Sequence, residues 1–202
     1  MTNGLPTKPD DVVDRDREWG LLAEFLIDPD PAMRLGIVSG RRRHGKSYLL
    51  QALSEQVGGL YVTAVREEGR LPAMQRFSDA VATHAGLRPG SLRLTDWRDV
   101  LSNALDVTAR SAHPLLVIDE LPYLLQHSPE IPGLLQQLYD ERQRGALPGA
   151  GPGPRLILCG SAMSVMHELL SGTKPLRGRA VFDLRLGAFD YRDSRRFWRI
   201  TD

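Results

Sequence analysis

Cysteine is almost absent. Cys159 is the single thiol in a chain of 202 residues, so no disulfide can form within it, and the chain suits a reducing compartment. Its neighbours Leu156, Ile157 and Leu158 are apolar, which makes Cys159 a small buried residue rather than a reactive thiol. Lysine is nearly as scarce: Lys8, Lys46 and Lys174 are the only ones, arginine carries the remaining positive charge, and the position of each lysine gains weight. No apolar run approaches the ~18 residues of a membrane-spanning helix. The opening residues lack the apolar core of a signal peptide, so a cytoplasmic protein is expected. An excess of one charge is missing too: 26 basic against 25 acidic residues leave no global field to draw the molecule onto nucleic acid or an anionic membrane. DNA is therefore not indicated as a partner by charge, and any such contact has to be local. The histidines, His44, His84, His113, His127 and His167, show no metal-ligand spacing, so a structural zinc site is not expected.

What is present is the composition of an ordinary globular domain, 42% hydrophobic and 25% charged. Four short apolar runs, Leu35 to Val38, Leu60 to Val65, Leu115 to Ile118 and Leu156 to Cys159, read as strands covered on both faces. A fifth, Ala180 to Leu186, alternates Val181, Asp183 and Arg185 against Phe182, Leu184 and Leu186, as a half-exposed edge strand does. Helical spacing marks Asp16 to Leu26 and Ser47 to Val57, with further helices expected at 71–85, 96–111, 131–144 and 162–171. Alternation of this kind predicts a three-layer αβα domain on a mostly parallel sheet. Gly86 to Ser91 and the segment Gly145 to Pro154 read as loops. The expected division is a flexible leader over 1–12, a core over 13–190, and over 191–202 the start of a C-terminal helical region, capped by Asp190 or Asp193. The abrupt stop there suggests a truncated chain.

Gly40-Arg41-Arg42-Arg43-His44-Gly45-Lys46-Ser47 matches a phosphate-binding loop in full, between a predicted strand and the helix that Tyr48 continues. Successive backbone N–H groups wrap phosphates at such a helix N-terminus, where the macrodipole favours anions. Gly40 and Gly45 permit the torsions and the close approach. Lys46 is expected on the β and γ phosphates and Ser47 on magnesium. Arg41, Arg42 and Arg43 fill the variable positions and raise the local positive potential.

Leu115-Leu116-Val117-Ile118-Asp119-Glu120 is a buried strand ending in adjacent carboxylates at the edge where ligands of such sheets sit. Asp119 is expected to hold magnesium through water, and Glu120 to orient or deprotonate the attacking water. Ser161, after the fourth apolar run, either hydrogen-bonds the γ phosphate or the lytic water, or caps the helix starting near Ala162. Arg177 and Arg179, just before the last strand, are candidates for the arginine that stabilises charge in phosphoryl transfer, within the chain or on a neighbour. A base-reading Asn-Lys-x-Asp is absent, which favours adenine over guanine, and the segment Val13 to Glu18 is placed to pack near the base.

These blocks, with Asp14-Arg15-Asp16-Arg17-Glu18, Asp119-Glu120-Leu121-Pro122-Tyr123-Leu124, Gly160-Ser161 and Leu176-Arg177-Gly178-Arg179-Ala180, resemble the archaeal-type ATPase family, related to the AAA and STAND groups of P-loop NTPases. The resemblance covers nearly the whole chain. It implies strand order 5-1-4-3-2, ATP and Mg2+ as ligands, Walker A at 40–47 and Walker B at 115–120, and a sensor position at Ser161. His44 departs from the small or β-branched residue usual there. The C-terminal winged-helix and nuclease-like regions of longer relatives are not present. The function expected is ATP hydrolysis coupled to a conformational switch. The alternatives are a signalling or assembly switch of negligible turnover and a DNA-associated ATPase. A homo-oligomer through the nucleotide face, or a protein partner, is the assembly implied.

Overall fold

A computed structural model describes residues 4–147, 149 and 151–189. Its centre is a sheet of five strands, β1 (Arg34–Ser39), β2 (Leu60–Thr63), β3 (Leu115–Asp119), β4 (Arg155–Gly160) and β5 (Ala180–Arg185), in the order β2-β3-β4-β1-β5. That is the expected 5-1-4-3-2, and every pairing is parallel. Seven helices flank it among the described residues: α1 (Asp16–Ile27), α2 (Lys46–Val57), α3 (Arg70–His84), α4 (Trp97–Thr108), α5 (Leu121–His127), α6 (Ile131–Arg144) and α7 (Met163–Leu169).

The apolar runs are continuous because alternate residues feed two separate cores. Leu116, Ile118, Leu156 and Leu158 point to the side covered by α3 to α7. Leu115, Val117, Ile157 and Cys159 point to the side covered by α1 and α2. Cys159 is fully buried, as its neighbours imply. β5 lies at an edge with alternating half-buried and exposed residues, and Phe182 packs its ring over Gly36, where a Cβ would lie 2.2 Å from the ring. β2 ends earlier than its apolar run: the Ala64 N–H makes a last bond to Asp119 O at 2.8 Å, and Val65 turns out into solvent.

Three expectations change. The leader is not loose from Pro6 onward: Trp19 donates to Pro6 O at 2.8 Å, Gln56 to Thr7 O at 2.6 Å and Lys8 to Val12 O at 2.6 Å, with Val12 in the core. Helix α5 is additional, a seven-residue segment too short to show periodicity, started by Pro122 in its first turn and held by buried Leu121 and Leu124. α4 and α7 are shorter than their predicted spans. The helix start expected after Asp190 or Asp193 lies outside the described residues.

At the sheet edge where the strands begin, Arg155 is fully buried. Its five guanidinium N–H groups all go to main-chain carbonyls: Phe25 O (3.1 Å), Ala32 O (3.2 Å), Gly153 O (2.8 Å), Asp30 O (3.0 Å) and Asp28 O. This closes the α1–β1 connection onto the start of β4.

Candidate functional site

Parallel pairing brings four strand ends together at the opposite edge. Ser39 lies beside Gly160, Ile118 beside Leu158, and Thr63 beside Asp119. The loop after β1 therefore opens next to Ser161 and the carboxylates that end β3.

Gly40 has φ of 152°, and a Cβ there would sit 2.5 Å from Leu186 O. Only glycine lets the chain leave β1 under the strand end of β5. Gly45, at φ 83°, caps α2 without a side-chain hydrogen bond, and no acidic residue occupies the first turn. The first N–H groups of α2 thus face the loop with no side-chain partner, the arrangement that receives an anion. Arg41, Arg42 and Arg43 are exposed, Arg43 with φ of 65°. His44 Nδ1 lies 3.1 Å from Leu186 O, and the Arg15 guanidinium donates to His44 O (3.2 Å) and Gly187 O (2.7 Å). The histidine in place of a small residue thus ties the loop to the segment after β5.

Lys46 is 4% exposed, and its Nζ donates to Arg41 O at 3.1 Å, closing the loop on itself. Asp119, 1% exposed, accepts from the Tyr61 hydroxyl at 2.5 Å on Oδ2 and from the Glu120 N–H at 2.8 Å on Oδ1. Burial pushes its pKa up, but hydrogen bonds from Cys159, Ser47, Tyr61 and the Glu120 backbone outweigh that, and the carboxyl lies below its ordinary value. Burial and the adjacent carboxylate together raise the Tyr61 phenol far above its usual range, so it stays a donor. Ser47 and Asp119 therefore face each other, as a shared cation requires. Among the described residues no group of three or more His, Cys, Asp or Glu side chains is placed to hold a metal ion.

Glu120 has φ of 51° and starts α5. Its Oε2 accepts from Ser161 Oγ at 2.9 Å and from Ser161 N at 3.3 Å. Ser161 does not cap α7: Ala162 occupies that position and no side chain caps it. The glutamate outcompetes the helix end for the hydroxyl.

Arg177 and Arg179 are not brought to the loop. β5 begins where Ala180 pairs with Leu35, and the five residues from there to Gly40 span about 16 Å of strand. Arg177 donates to Gly172 O at 2.8 Å, and Arg179 grips both oxygens of Asp140 at 3.1 and 2.9 Å. Both belong to the other edge of the sheet, so neither reaches the phosphate loop of its own chain.

Beside the loop is a cavity of 610 Å³ whose walls include Val12, Val13, Arg15, Arg43, Tyr48 and Phe189. Tyr48, half exposed, donates to Asp11 Oδ2 at 2.7 Å. Val13 and Arg15, from the segment expected near the base, line it. Tyr61 and Asp11 escaped sequence reasoning, since each reaches the site from a distant part of the chain and carries no motif of its own.

The fold has counterparts among solved structures. A Walker-type ATPase of Pyrococcus abyssi superimposes with a TM-score of 0.67 at 22% identity, over 98% of this chain and 60% of that one. The ORC2 protein of Aeropyrum pernix, in its ADPNP and ADP complexes, gives 0.68 at 15% identity, over 96% and 52%. CDC6P of Pyrobaculum aerophilum gives 0.60 at 16%, over 96% and 49%. This chain has the P-loop NTPase fold. Among curated proteins it is 26% identical to an uncharacterised protein of Methanocaldococcus jannaschii over 187 residues, 92% of this chain and 38% of that relative. No protein-family model matches. The chain thus spans between two fifths and three fifths of the proteins it resembles. No described helix is long and apolar enough to cross a membrane.

Proposed function

We propose that this P-loop NTPase chain is an ATPase core of the archaeal type, binding ATP with Mg2+ at the 40–47 loop and hydrolysing it slowly. The observation that carries the reading is the convergence of Ser47 and Asp119 beside a buried Lys46 at an uncapped helix N-terminus. Lys46 exchanges the Arg41 carbonyl for phosphate oxygens, which removes the self-closing contact of the loop. Ser47 supplies a hydroxyl to the cation, and Asp119, kept ionised by its donors, holds the water shell on the other side. A magnesium ion held by Ser47 and Asp119 would supply positive charge to the bound phosphates. The cavity between residues 11–15 and α2 is sized for a nucleobase, and its apolar walls suit adenine.

Glu120 is the candidate base, one residue beyond Asp119. One carboxylate oxygen is engaged by Ser161, and Arg177 and Arg179, the arginines expected at the γ phosphate, are held at the other edge of the sheet. This favours a chain that retains nucleotide and turns over slowly, a switch whose conformation depends on occupancy, over a rapid hydrolase. Assembly through the nucleotide face, or a further domain or protein partner, is the expected means of speeding it. Net charge gives a DNA partner no support.

Calorimetric titration with MgATP tests the core of this. Lys46→Ala abolishes binding while the protein still melts cooperatively. Undiminished ATP affinity in the folded variant removes the phosphate-loop reading.

A further inference from the structure

The site as described is short of positive charge. Lys46 supplies one cation, while Arg177 and Arg179 lie at the far edge of the sheet. Phosphoryl transfer places developing charge on the terminal phosphate, where a second fixed cation is effective. The loop itself contains three arginines, and their placements differ. Arg43 lines the cavity on the side of Tyr48 and Arg15. Arg41 lends its carbonyl to Lys46. Arg42 reaches the other way, to α5: its guanidinium donates to the Tyr123 hydroxyl and lies 5.9 Å from the centre of that ring. Tyr123 follows Glu120 by three residues, and its N–H bonds to Glu120 O at 2.9 Å. The Arg42 side chain therefore bridges from the phosphate loop to the first turn of the helix that Glu120 starts.

Arg42 differs from most other paired arginines of the fold. Arg15, Arg76, Arg98, Arg142 and Arg179 each grip a carboxylate. No ion pair involves Arg42 among the described residues, and its partner is the hydroxyl of the half-buried Tyr123. A guanidinium that is itself exposed, 5.9 Å from the ring centre, is weakly held there. A guanidinium facing phosphate oxygens makes two charge-assisted hydrogen bonds in matched planar geometry. Given a choice between the two, it moves to the phosphate.

Resting on the MgATP reading above, we propose that Arg42 senses the terminal phosphate: parked on Tyr123 without a triphosphate, it transfers its guanidinium to the γ phosphate of a nucleoside triphosphate bound in the same chain. A diphosphate presents nothing at that position and leaves Arg42 on Tyr123. The transfer releases the Tyr123 side chain, three residues beyond Glu120 on α5.

Titration calorimetry with magnesium and either ADP or a non-hydrolysable ATP analogue tests this on the wild-type chain, Arg42→Gln, Arg42→Lys and Tyr123→Phe. Arg42→Gln is expected to lose about tenfold in triphosphate affinity and less than twofold in ADP affinity. Arg42→Lys recovers part of the loss, having a point charge without the fork. Tyr123→Phe, lacking the parking hydroxyl, binds the triphosphate at least as tightly as wild type. Equal losses for both nucleotides in Arg42→Gln, or no loss for either, overturn the proposal. A wild-type chain that binds neither nucleotide overturns the site reading itself, a result recognisable before any variant is measured.

Discussion

Tyr61→Phe isolates what holds Asp119 in place. The substitution removes the hydroxyl that donates to Asp119 Oδ2 at 2.5 Å and keeps the ring. A hydrogen bond to a charged acceptor is worth about 1.5–3 kcal/mol, and with Asp119 only 1% exposed, water cannot replace it cheaply. For a domain of this size that corresponds to a fall in Tm of about 3–12 °C at pH 7. The pH dependence gives the sharper test. Asp119 has a folded-state pKa below its ordinary value, so its contribution is complete at neutral pH and fades as pH falls through the folded pKa. Removing a donor raises that pKa, the acid loss begins at higher pH, and the gap between wild type and variant narrows once both are protonated. Melting curves from pH 7 down into the carboxylate range provide the measurement. The same variant, with Asp119 less firmly aimed at Ser47, is expected to bind MgATP about tenfold more weakly. A Tm unchanged at pH 7, or a deficit that stays constant through the acid range, refutes the account.

Glu120→Gln keeps the bond to Ser161 and loses the base, so it retains MgATP and releases phosphate at least tenfold more slowly than wild type in a multiple-turnover assay; wild-type turnover moves the base elsewhere. Arg179→Ala breaks a partly exposed ion pair with Asp140 and costs no more than about 1 kcal/mol by chemical denaturation. Its ATP affinity and turnover stay at wild-type values, and a large loss of turnover returns that arginine to the chemistry, from a neighbouring subunit.

The sheet was legible because each strand face feeds its own core, which makes the runs continuous and short. Three strands extend their apolar runs by one residue at an end or both, and β2 stops two residues early. The loop and the Asp119-Glu120 pair were legible because their chemistry is local: backbone N–H groups in succession, and a carboxylate pair at a strand end. Tyr61 was not, since it meets Asp119 only through the pairing of β2 with β3. That Arg177 and Arg179 do not reach the loop of their own chain was hidden for the complementary reason. Their nearness to a strand was visible, but which end of that strand adjoins the loop depends on β5 running parallel to β1. Ser161 had two roles open in sequence, contact with phosphate or water and capping of a helix, and its bond to Glu120 belongs to neither because it depends on β3 pairing with β4.

The two edges of the sheet answer acid differently. At the edge with Asp119, a carboxylate depends on remaining ionised, and a proton can undo the contacts around it. At the other, Arg155 is held by carbonyl oxygens alone, in the manner of a cation in an oxygen cage. Burial lowers its pKa, yet a guanidinium keeps its proton at any pH the fold survives. The five direct contacts of that closure do not titrate; what acid can reach there is the carboxylates of Asp28 and Asp30, which brace the same turn against Arg34 and the main chain.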